Sequence, residues 1–156
     1  MHKIRCYVPS VVCFALLVFA TTMSRADAQE SSEEQEKQLI EVLASDAPKA
    51  DKAITCKRLA IYGSKDAVPA LAPLLPDEEL TSWARIALEA IPGPEADAAL
   101  REAMGQLEGR TLIGVINSIG VRRDAAAVEG LVALLQGADA QVASAAAAAL
   151  GKIGDA

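Results

Sequence analysis

Leu59-Ala60-Ile61-Tyr62-Gly63-Ser64-Lys65-Asp66-Ala67-Val68-Pro69-Ala70-Leu71 carries the pattern on which the fold turns. An aliphatic residue leads to a glycine one helical turn later, and then come an acid, small residues and a leucine. The same order returns at Leu88-Glu89-Ala90-Ile91-Pro92-Gly93, followed by Glu95-Ala96-Asp97-Ala98-Ala99-Leu100. It returns at Ile116-Asn117-Ser118-Ile119-Gly120, followed by Asp124 to Leu131, and at Leu150-Gly151-Lys152-Ile153-Gly154, followed by Asp155-Ala156. The leading residues stand at 59, 88, 116 and 150, separated by 29, 28 and 34 positions. Self-similarity at such a period is the signature of stacked supersecondary units.

A helix pair per unit accounts for the pattern. The glycine is expected to end the first helix in the left-handed conformation that other residues avoid. The acid then caps the second helix by accepting from its free N–H groups. Pro69 falls in the first turn of that helix, where a missing N–H costs little. Pro73 falls deeper and predicts a kink or a short helix. Apolar spacing is helical throughout: Leu80, Ala84, Ala87, Leu88 and Ile91 form one stripe, and Leu112, Ile113, Ile116 and Ile119 another. No segment alternates with period two over a strand's length. Beyond residue 28, alanine fills 28 of 128 positions and only Tyr62 and Trp83 are aromatic, which favours close packing of helix on helix.

The expected fold is therefore all-α: an α-α superhelix of roughly three and a half helical hairpins over residues 50–156, right-handed, with the last repeat incomplete. Residues 29–49 read as an N-terminal tail, to about residue 33, and a capping helix. That helix sets Leu39, Ile40 and Leu43 against the array and presents Glu33, Glu34 and Glu36 as a solvated face.

Residues 1–28 read as a signal peptide. His2, Lys3 and Arg5 make a basic start, Val8 to Ala20 is a nearly unbroken apolar run, and Ala26-Asp27-Ala28 matches the small-x-small rule for cleavage between Ala28 and Gln29. The run is too short for a comfortable membrane span, which needs ~20 residues. The expected location is secreted or periplasmic, with no membrane span after cleavage.

Composition narrows the functions. The full chain has 15 Lys+Arg against 21 Asp+Glu; removing Lys3, Arg5, Arg25 and Asp27 leaves 12 against 20. This balance argues against nucleic acid and against an anionic membrane surface as partners. The only histidine, His2, leaves with the signal peptide, and with it go histidine catalysis and most zinc or haem sites. Cys6 and Cys13 leave too, so Cys56 has no internal partner for a disulfide.

The units resemble bacterial HEAT repeats, including the HEAT-like repeats named after phycocyanobilin (PBS) lyases. The resemblance rests on Asp66-Ala67-Val68-Pro69-Ala70-Leu71 with Leu74-Leu75, and on Ala149-Leu150-Gly151-Lys152-Ile153-Gly154-Asp155. Trp83-Ala84-Arg85 through Pro92-Gly93-Pro94 is similar to secreted HEAT proteins of environmental bacteria. The chain departs from the pattern where Pro92 and Pro94 flank Gly93 and lengthen the turn by a residue. Iron-dependent HEAT-like hydroxylases use His-Glu ligands, which a chain without mature histidine cannot supply.

Candidate residues are few. Cys56 stands beside Lys57 and Arg58, which would favour a reactive thiolate; its register, shared with Ala147, favours a buried packing residue. Asp77-Glu78-Glu79 lacks the alternating spacing of a calcium loop and reads as a helix first turn. No cofactor or metal site is expected. Candidates for contact with a partner are Trp83, an aromatic of the kind enriched at interface hot spots, and Arg101, Arg122 and Arg123, on or near second helices. The arginines otherwise read as ordinary surface charge and capping, and Arg122→Ala is expected to leave melting nearly unchanged.

The first functional reading is a secreted, non-catalytic scaffold that binds another protein along its concave face. A second is the N-terminal HEAT module of a longer secreted enzyme or cytochrome-like protein, suggested by the unfinished last repeat. A third is a bilin-lyase-like factor. The open end of the array would also permit end-to-end self-association.

Overall fold

The computed structural model describes residues 32–154. The chain divides into two compact units, Met1–Gln35 and Glu36–Ala156. Of the first, only residues 32–35 are described, as helix. The leader 1–28, its junction at Ala28 and Gln29, and Asp155-Ala156 lie outside the described residues.

The described chain is all-helical and holds no strand. Its helices are α1 (32–44), α2 (Lys49–Tyr62), α3 (Val68–Leu71), α4 (Thr81–Ala90), α5 (Pro94–Met104), α6 (Gly109–Arg122), α7 (Val128–Leu135) and α8 (Ala140–Gly154). Short 3-10 turns, Lys65–Ala67 and Ala125–Ala127, lead into α3 and α7. Pro69 sits in the first turn of α3, as its missing N–H requires. The helix then stops after one turn, and Ala72–Leu74, with Pro73 at its centre, continues as a tighter 3-10 turn.

The dominant contacts lie between successive units and not within the expected hairpins. Helix α2 lies on α4, α4 on α6 and α6 on α8, while α5 packs on α6 and α7 on α8. The leading residues Leu59, Leu88 and Ile116 are fully buried at the centre of a single apolar core. Each such side chain withdrawn from water stabilises the fold by about 1.5–3 kcal/mol. Leu150, their counterpart in the last unit, is half-buried, as is Ile153. No helix among the described residues is long and apolar enough to cross a membrane.

The glycines do a different job from the one expected of them. Of the repeated glycines, only Gly93 has positive φ, at 108°. Gly63 is extended, with φ −76° and ψ 142°, and Gly120 lies inside α6. The left-handed residue that ends α6 is Arg123, φ 55°. At Gly63 a Cβ would stand 2.4 Å from the Leu59 carbonyl oxygen, and at Gly120 it would stand 2.9 Å from Ala149 Cα. The repeated glycine thus answers a need for close approach at these two positions. It lets α8 ride directly on α6.

Caps differ as well. Ser64, not Asp66, caps the turn into α3 by accepting from Asp66 N–H at 3.2 Å. Asp124 behaves as expected and accepts from Ala126 N–H at 3.0 Å. In α1, Leu39 and Leu43 join the core. Glu33 and Glu34 are exposed, but Glu36 is buried: its Oε1 accepts from Ser64 N–H at 2.6 Å, in the turn beyond α2. Glu36 was expected on the solvated face. A buried carboxylate needs such a partner, and the turn supplies one.

Candidate functional site

Arg122 is the candidate most altered by its surroundings. Its Nη1 donates to the carbonyls of Leu88 (2.8 Å), Glu89 (3.2 Å) and Ile91 (2.6 Å), and Nη2 donates to Gly93 O at 2.9 Å. Its Nε is bonded to Asp97, and only 10% of the side chain is exposed. The last carbonyls of a helix have no partner within it. Here the guanidinium of α6 closes the C-terminal end of α4 and the Pro92-Gly93-Pro94 turn behind it. Capping is thus one of the roles expected of Arg122, but a guanidinium this buried is not ordinary surface charge, so its loss is expected to lower melting and not to leave it nearly unchanged.

Arg101, on α5, bonds Asp124, the residue that caps the turn into α7. Asp97 and Arg101 lie one helical turn apart on α5, and Arg122 and Asp124 flank the end of α6. The two ion pairs, Arg122–Asp97 and Arg101–Asp124, latch α5 to that end with opposite polarity. Arg123 stands exposed in its left-handed conformation. Trp83 is half-buried on the α2 side of α4, and Lys57 Nζ lies 5.5 Å from its ring centroid, a cation–π contact. The structure therefore groups the three arginines at the α5–α6 corner and places Trp83 between α2 and α4. It does not bring the four together on one second-helix face.

Cys56 is fully buried, and burial pushes its thiol up to about 11. The neighbouring Lys57 and Arg58 point outward and are exposed, so they do not offset that cost. Asp77 Oδ1 accepts from Glu79 N–H at 2.9 Å and from Leu80 N–H at 3.2 Å, which organises the turn before α4. Lys49, at the start of α2, pairs with Asp77 at 2.9 Å and Glu79 at 3.0 Å. Hydrogen bonding from Lys49 holds the Asp77 carboxyl below its ordinary range, and the Asp77 bond raises Lys49. The acids of this turn hold a lysine. Among the described residues no three His, Cys, Asp or Glu are grouped to hold a metal ion.

Sequence reasoning missed a polar layer between α4 and α6. The Ser118 hydroxyl, fully buried, donates to Glu89 Oε1 at 2.6 Å and accepts from Arg85 Nη1 at 3.1 Å. Arg85 Nη1 also reaches Gly114 O at 3.0 Å. A Cβ on Gly114 would stand 2.7 Å from Arg85 Nε, so glycine is what lets the guanidinium cross α6. With Ser118 sealed from solvent, this trio can hold two helices together but cannot attack a substrate.

Above that layer a groove of about 280 Å³ opens between α4 and α6, lined by Thr81, Ser82, Arg85, Arg110, Thr111 and Asn117 among others. Thr81 is 8% exposed, and among the described residues neither its hydroxyl nor Arg85 Nε has a hydrogen-bond partner. A second groove, about 260 Å³, lies between the α3 segment and α5, with Pro69, Pro73 and Leu107 in its wall and Glu102 beside them. No protein-family model matches the chain, and no curated protein matches it.

Proposed function

We propose that this chain is a HEAT-like solenoid of helical hairpins, exported by its leader, and that it works as a non-catalytic scaffold for another protein. The observation that carries the reading is the layer α2–α4–α6–α8, in which each first helix lies on the next and the leading residues of the first three units are fully buried. Packing of each unit on its neighbour is what a repeat array requires, and this supports the reading. Rigid display of side chains at repeat spacing is then the mechanism, with no covalent step. The polar groups at helix ends, Arg122 above all, stiffen the array rather than meet a substrate.

Two experiments test it. Amino-terminal sequencing of the chain from its own host is expected to begin at Gln29; a start at Met1 would contradict export. Chemical cross-linking of the full chain in the exported fraction, followed by mass spectrometry, is expected to join it repeatedly to one other protein. Cross-links confined to itself, or none, would contradict the scaffold role.

A further inference from the structure

Charge is sorted by helix in a way that the net balance hides. Helices α2, α4, α6 and α8 hold eight Lys and Arg against two Asp and Glu, while the segments between them hold three against eleven. Lys49 and Arg122 are engaged within the fold, and Glu89 is turned onto Ser118. Other acids of these elements are Asp51, in the first turn of α2, Glu78, at the groove's rim, and Glu108, the N-cap of α6 two residues before Arg110. Lys57, Arg58 and Arg110 are exposed, and none of them forms an ion pair among the described residues.

The same helices present aliphatic side chains to water. Ile61 is 75% exposed, Ile54 and Val121 53% and Ile86 46%. On α2, Ile54, Lys57, Arg58 and Ile61 fall at i, i+3, i+4 and i+7, one stripe of the helix. The Lys57–Trp83 contact carries that stripe across to α4, where Ile86 lies one turn beyond Ser82. The α4–α6 groove continues it to Arg110 and Asn117. At the groove's wall are Thr81 Oγ1 and Arg85 Nε, the two buried side-chain polar atoms that lack partners among the described residues.

Resting on the scaffold reading, the geometry points to the outer face of the first-helix layer, centred on the α4–α6 groove, as the docking surface for an acidic, aliphatic-rich segment of a partner protein. Carboxylates of that segment meet Lys57, Arg58 and Arg110, and its aliphatic side chains cover Ile54, Ile61 and Ile86. The surface differs from the second-helix side, where acids predominate and where an acidic partner would be repelled.

The test uses the full chain, ¹⁵N-labelled, titrated with a synthetic amphipathic peptide of glutamate and leucine at helical spacing. Amide shifts are expected in α2, α4 and α6 around Lys57, Ile86 and Arg110. The double variant Lys57→Glu, Arg58→Glu is expected to raise the Kd about tenfold or more, whereas Arg123→Glu leaves it unchanged. Circular dichroism of each variant, matching the parent, separates lost binding from lost folding. Added salt is expected to weaken the interaction, since exposed charges are screened beyond about 10 Å at 0.1 M. Shifts confined to α3, α5 and α7, or no shift at all, would overturn the assignment. So would binding to phosphatidylglycerol vesicles in place of the peptide. Partner cross-links found in the exported fraction at any other face would leave the scaffold reading standing while this one falls.

Discussion

Arg122→Ala is expected to cost about 2–4 kcal/mol, because it leaves several helix-end carbonyls and the Asp97 carboxylate without their cation. Urea denaturation of the two proteins reads this as a lower midpoint at unchanged slope. A shift below about 0.5 kcal/mol would show that water replaces the guanidinium without loss. Arg123 gives the contrast. It is exposed at φ 55°, so Arg123→Gly relieves a backbone position that side chains disfavour and should leave stability equal or higher by up to about 1 kcal/mol. Nothing in the sequence separated these neighbours, since the partners of Arg122 stand some thirty positions upstream. Cys56 was more legible, because its register matched a packing alanine. The folded chain is expected to resist a disulfide labelling reagent at mildly alkaline pH, with full reaction in urea. Rapid labelling of the native protein would contradict its burial.

At the scale of the helices, contact between α6 and α8 depends on the missing side chain at 120. Gly120→Ala is expected to destabilise by about 1–3 kcal/mol despite alanine's better helix propensity, since its Cβ would press on Ala149 Cα. Adding Ala149→Gly should not recover the loss, because the nearest obstacle is backbone; recovery in the double variant would argue for a looser contact. The turn before α4 has its own pH signature. Asp77 sits below its ordinary 3.8 when folded, so its pair with Lys49 stabilises above that value and fades as pH falls through the lower folded one. Lys49 is raised above 10.5, so its share persists to that pH and is lost as pH climbs through the folded value. The stability gap between the parent and Asp77→Asn should therefore close in acid, and a gap that is constant from pH 7 to strongly acidic solution would contradict the pairing. The short α3 and the apolar stripes were readable because periodicity and proline act locally. Cap chemistry was less so: Ser64, Glu36 and Arg123 took roles that depend on where the next helix passes.

For the whole molecule, repeat spacing in the sequence foretold the helical class and the burial of the first three leading residues, Leu59, Leu88 and Ile116, but not the half-exposed Leu150. It could not foretell how charge divides between helices, because one acidic total covers a cationic first-helix layer and acidic connections. Nor could it reveal the Ser118–Glu89–Arg85 layer, whose members come from two units and meet only after stacking. In an array each unit leans on its neighbours, so a charge placed at Ile116 should unfold more than its own hairpin. Ile116→Asp is expected to abolish the cooperative thermal transition, and a melting temperature within roughly two degrees of the parent would contradict the register. The most direct test of the architecture is a methyl- and amide-resolved NOE map of the full chain. Neighbour stacking predicts close pairs between Gly120 and Ala149, Arg85 and Gly114, and Lys57 and Trp83, with none joining α2 to α8. NOEs between α2 and α8 would mean that the helices close into a bundle and would contradict the repeat array.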